Sequence, residues 1–179
     1  MQIPSICHLF IDEEMDFPLI HPNIISPMGQ LPTEFNRPEE EIERMLLIFD
    51  HNFRKLLALK RYNDIITFFK DKVLKDRSFH YIHPLTLYHL SFVYHVAIAY
   101  FRLGDYEHAE AMIDIILAAD PQNVDILLFM VQVQLAQRNF DKVYSSLEDL
   151  NQIDAASFTE NQKILLAKIL EVVNSIANN

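Results

Sequence analysis

The run from Val96 to Pro121 constrains the fold more than any other part of the chain. It reads Val-Ala-Ile-Ala-Tyr-Phe-Arg-Leu-Gly-Asp-Tyr-Glu-His-Ala-Glu-Ala-Met-Ile-Asp-Ile-Ile-Leu-Ala-Ala-Asp-Pro. The pattern predicts a helix, a Gly-Asp-Tyr turn, a second helix and an Asp-Pro stop. Small residues, Ala97 and Ala109, stand where the two helices must nearly touch. Tyr100, Tyr106, Ile113 and Ile116 fill the space around them.

The same unit recurs along the chain. Tyr106 and Phe140, both at turns, are 34 residues apart, and Tyr62 precedes Tyr106 by 44. The extra residues of the first interval fit a loop around Arg77 to His83 and a longer helix after it. Before Tyr62, Met45, Ile48, Phe49, Asn52, Phe53, Leu56 and Leu59 recur at three- and four-residue steps, the helical period. Pro38 and the acids Glu39, Glu40, Glu41 and Glu43 suit the start of that helix. Leu127, Met130, Val131 and Gln134 predict the first helix of a third pair, with Val143, Leu147 and Leu150 on the second. Ser157-Phe-Thr-Glu160 fits a capping box for a last helix carrying Ile164, Leu165, Leu166, Ile169, Leu170, Val172, Val173 and Ile176.

These residues and this spacing resemble the tetratricopeptide (TPR) repeat, a 34-residue helix-turn-helix unit. The resemblance spans Glu39 to Ala177 and implies three repeats and a capping helix. It departs from the family pattern at Val143, where alanine is usual, and at Asn52-Phe53, where a large apolar residue precedes a small one. The third unit also lacks the final proline. The expected fold is all-α: a superhelix of helix-turn-helix repeats over residues 38–179 behind an extended proline-rich arm, residues 1–37. The resemblance further implies a concave groove lined by the first helix of each repeat. It places Arg54, Tyr94, Ile98, Phe101, Arg102, Leu128 and Gln132 in that groove, beside Asp50, Leu57, Ser91, Asp125 and Leu135. The subtype that clamps chaperone C-terminal carboxylates is not expected, because the corresponding places hold Asp50, Arg54, His95, Asp125 and Phe129. A carboxylate would meet two acids there.

Composition narrows the functions. Fifteen basic against twenty-five acidic residues leave a net charge of −10, which repels phosphate backbones and disfavours nucleic acid as a partner. Only Gly29 and Gly104 are glycines, a scarcity that disfavours every Gly-rich phosphate loop. Cys7 is the single cysteine, which excludes an internal disulfide and fits a reducing, cytoplasmic setting. His80-Tyr-Ile-His83 is too small a set for a zinc site, His89 and His95 lie on an aromatic helix, and Asp114, Asp120 and Asp125 form no acid–base pair. No metal, no cofactor and no catalytic residue is expected. Leu85 to Phe101 is the most apolar stretch and is short for a membrane span of about 20 residues.

Six of the eight prolines fall in the first 38 residues, so the arm cannot be one long helix. It also carries many large apolar residues, and Phe10, Phe17, Ile20 and Phe35 are expected to anchor it on the stack or on a neighbouring subunit. The expected function is a non-enzymatic adaptor that holds an extended or helical segment of a protein partner within a multi-subunit assembly. A small secretion chaperone, similar to those of type III translocators, is the alternative. Self-association through the C-terminal helix or the arm is a further expectation.

Overall fold

The computed structural model describes residues 39–75 and 87–177. The proline-rich arm and the His80–His83 pair lie outside them. Seven α-helices follow in order: α1 (Glu39–Ala58), α2 (Tyr62–Phe68), α3 (Leu87–Arg102), α4 (Tyr106–Ala119), α5 (Val124–Ala136), α6 (Phe140–Asn151) and α7 (Glu160–Ala177). α2 runs on through a π-helical segment, Phe69–Leu74, that buries Phe69 and Val73. Among the described residues there is no strand. The second helix of each pair begins at Tyr62, Tyr106 and Phe140, where the aromatic spacing puts the turns.

Three-residue connections join α1 to α2, α3 to α4 and α5 to α6, which makes each pair antiparallel. The turns share one chemistry. Lys60, Gly104 and Arg138 have φ of 56°, 80° and 59°. Each amide donates to the carbonyl three residues back: Leu57, Phe101 and Leu135. The next amides, of Arg61, Asp105 and Asn139, donate five residues back to Leu56, Tyr100 and Gln134. The left-handed residue thus lets the last carbonyls of each first helix find donors. Asp105 and Asn139 then cap the following helix by accepting from the His108 and Lys142 amides. Arg61 cannot accept, and α2 has no side-chain cap.

Below the turns lies the close contact that the sequence required. Ala97 on α3 and Ala109 on α4 are completely enclosed, with Ile113 and Ile116 packed beside them. α3 packs on α4 and also on α1 and α2. α5 is buried without interruption from Ile126 to Leu135. One side of it, with Ile126, Phe129, Met130 and Val133, joins the core formed with α1 to α4. The other, with Leu127, Leu128, Val131 and Leu135, joins a second core under α6 and α7. A helix without a polar face fits only such a central place.

The start of α7 differs from the expectation. Ser157 does not cap it. The chain makes a 3-10 turn at Ala155–Ser157, capped by Asp154, and the Ser157 hydroxyl donates to the Asp154 carbonyl at 2.6 Å. The capping box forms two residues later, between Thr159 and Gln162. The Thr159 amide donates to Gln162 Oε1 at 2.8 Å, and the Gln162 amide donates to Thr159 Oγ1 at 3.3 Å. Phe158 occupies the extended segment between turn and helix and is buried there in the second core, which favours the later register. Among the described residues no helix is long and apolar enough to cross a membrane.

Two predictions follow from this packing. Ala109→Glu places an unpaired charge in an enclosed contact and should cost about 3 kcal/mol or more in urea unfolding. Gly104→Ala and Arg138→Gly should act in opposite directions, each by about 1 kcal/mol. A Cβ at Gly104 meets nothing within 4 Å, so its whole cost is backbone strain.

Candidate protein-binding face

The first helices α1, α3 and α5 carry the seven residues assigned to the groove. Arg54, on α1, is exposed at 45% of its side chain and pairs through Nε with Asp50 at 2.8 Å. Asp50 also accepts from the Ser91 hydroxyl of α3 at 3.1 Å, which ties the two helices. Arg102, at the end of α3, is half-buried. The other five are inside the protein: Tyr94 and Phe101 are 5% exposed, Ile98 and Gln132 1%, and Leu128 not at all.

Phe129 brings several of them together. Its ring meets Tyr94 edge-on at 6.1 Å and Phe101 edge-on at 5.6 Å. Such T-shaped pairs add to simple area burial. Burial, reinforced by the nearby negative charge of Asp125, holds the Tyr94 hydroxyl neutral by raising its pKa far above the ordinary tyrosine range. Gln132 Nε2 donates to the Leu128 carbonyl at 2.9 Å, while Gln132 Oε1, fully buried, accepts from nothing. A buried amide oxygen with no donor is a costly feature in a folded protein.

His95 sits behind this face. Its Nδ1 is 2.6 Å from the Ser91 carbonyl, an acceptor only, so Nδ1 carries the proton. Its ring stacks on Phe53 at 5.8 Å. Phe53 in turn touches Phe68, Phe69 and Phe92, at 5.1, 6.5 and 4.9 Å between ring centres. Burial pushes the His95 pKa below the ordinary histidine value; the Ser91 bond and Asp50 oppose this, and Arg54 adds to it.

Sequence reasoning missed the polar ties between pairs. Glu110 on α4 accepts from Lys142 Nζ at 2.7 Å and from Gln137 Nε2 at 3.0 Å. Burial raises the Glu110 pKa, and the two donors outweigh it, so the carboxyl is held below its usual range. Ser146 on α6 donates to Gln134 Oε1 on α5 at 2.9 Å, inside the core. The available signal was the pair Gln132 and Gln134, two amides in the otherwise apolar run from Ile126 to Leu135. Among the described residues no group of three or more His, Cys, Asp or Glu side chains is placed to hold a metal ion.

Residues 90–128 match the family model of the Fis1 C-terminal tetratricopeptide repeat. The segment is a tetratricopeptide-type repeat. It takes in α3 from Leu90 on, the Gly104 turn, all of α4 and the start of α5. No curated protein and no solved structure matches the chain. In this tetratricopeptide-type unit the small pair Ala97 and Ala109 and the terminal Pro121 stand at the positions the repeat pattern requires.

The buried His95 has a measurable consequence. Its folded pKa lies below the unfolded value of about 6.5, so the folded chain binds fewer protons. Stability should therefore be complete above that pH and decline as pH falls through it toward the lowered folded pKa. His95→Phe should flatten the dependence of melting temperature on pH between about 7.5 and 5.

Proposed function

We propose that this protein is a non-enzymatic adaptor whose α1–α3–α5 face holds a segment of a protein partner. The observation that carries the reading is the tetratricopeptide-type unit at residues 90–128. Repeats of this kind stack into extended concave surfaces suited to protein partners. On this reading residues 38–179 are the repeat domain and residues 1–37 an arm appended to it.

Arg54 and Arg102 are the members of the face that meet the partner directly. Their chemistry suits backbone carbonyls or carboxylates of an extended or helical segment. Tyr94, Ile98, Phe101, Leu128 and Gln132 lie beneath them and set the shape of the floor. Arginines at the rim of an apolar floor are the residue types that dominate many interfaces. Partner capture from extracts of the source cell, read by mass spectrometry, tests the adaptor role. A stable multi-subunit complex is expected, whereas a single aggregation-prone client would mean a chaperone.

The double variant Arg54→Glu with Arg102→Glu should weaken capture at least about tenfold, with unchanged helicity by circular dichroism. Capture at wild-type strength would move the partner to another face of the stack.

A further inference from the structure

α7 resembles the first helix of a pair, and among the described residues no second helix packs on it. The N-cap of α5 is Asn123 and that of α7 is Thr159, 36 residues on. The small residue of the central pair, Ala97, corresponds through Val131 to Ala167. Ala97 is enclosed by α4, but Ala167 is exposed. Where a second helix would lie there is an apolar hollow of about 500 Å³ between α6 and α7, lined by Tyr144, Leu147, Leu166 and Leu170. Tyr144 is 47% exposed, Leu170 41%, and Ile164, one turn before Ala167, 47%.

We propose that a second copy of this chain covers this face, its α7 lying antiparallel on α7 about a two-fold axis at Ala167. The charge pattern of the helix argues for this occupant. In an antiparallel pair centred on residue 167, residues equally far before and after the centre oppose each other. Lys163 then faces the partner subunit's Glu171, and Ile164 faces the partner subunit's Leu170. Symmetry makes both contacts twice. Lys163 and Glu171 are exposed and have no ionic partner among the described residues. The alanine at the axis permits the close approach that Ala97 and Ala109 make within the central pair. An antiparallel helix is also the orientation in which each second helix of the stack packs on its first. The opposed charges set register and offset, locally, the repulsion between two chains of net charge −10. The surface is separate from the α1–α3–α5 face, so its test is independent of the adaptor reading.

Sedimentation velocity of the full chain should show a reversible dimer with a dissociation constant on the order of 10 μM, as befits a small interface. Lys163→Glu should weaken it about tenfold, and the swap Lys163→Glu with Glu171→Lys should restore it. In a Cys7→Ser background, Ala167→Cys should form a disulfide-linked dimer under mild oxidation, because among antiparallel registers only this one places residue 167 against itself. Asn161→Cys, also exposed and off the axis, should not. A monomer up to about 100 μM, a dimer indifferent to Lys163→Glu, a swap that does not restore association, or equal cross-linking at residues 161 and 167 would each overturn the proposal.

Discussion

Enclosure of α5 is the constraint on which the rest of the structure depends. Ten consecutive residues, Ile126 to Leu135, are withdrawn from water, so the helix needs packing on every side. It serves as the wall between two cores, one formed with α1 to α4 and one beneath α6 and α7. Its amides must then be satisfied inside the protein. Gln134 is met by Ser146 of α6, and Gln132 turns its amine to the Leu128 carbonyl. The remaining Gln132 oxygen is left buried without a donor.

A second economy is the repeated turn. Three times the chain reverses through one left-handed residue and the same pair of backbone bonds. Only once is that residue glycine; Lys60 and Arg138 adopt the conformation with a side chain attached. Each accepts strain of about 1 kcal/mol because the turn is fixed by the helices on both sides. Polar bonds then link one pair to the next: Ser91 to Asp50, and Lys142 and Gln137 to Glu110. These orient the stack, while the apolar cores supply most of its stability.

Much of the local structure was legible. Aromatic spacing located the second helices at Tyr62, Tyr106 and Phe140, since turn chemistry and helical period are properties of neighbouring residues. The close approach of α3 and α4 was legible for the same reason, through the two alanines. The start of α7 was not. Two capping boxes compete between Ser157 and Gln162, and the burial of Phe158 in the second core selects the later one. Residue spacing carries no information about that distant contact.

For the candidate face the division is sharper. Sequence by itself determined which residues share the first-helix face, because a 3.6-residue period assigns Tyr94, Ile98, Phe101 and Arg102 to one side of α3. It also determined the net negative charge and the identity of the central repeat. Tertiary structure alone decided which of those residues remain accessible: Arg54 stays at the surface, and Ile98, Leu128 and Gln132 do not. It alone paired Glu110 with Lys142 across two helix pairs and set His95 against Phe53. The reason is physical. Helical periodicity is local and can be read along the chain, whereas burial and the pairing of distant charges depend on how whole helices stack.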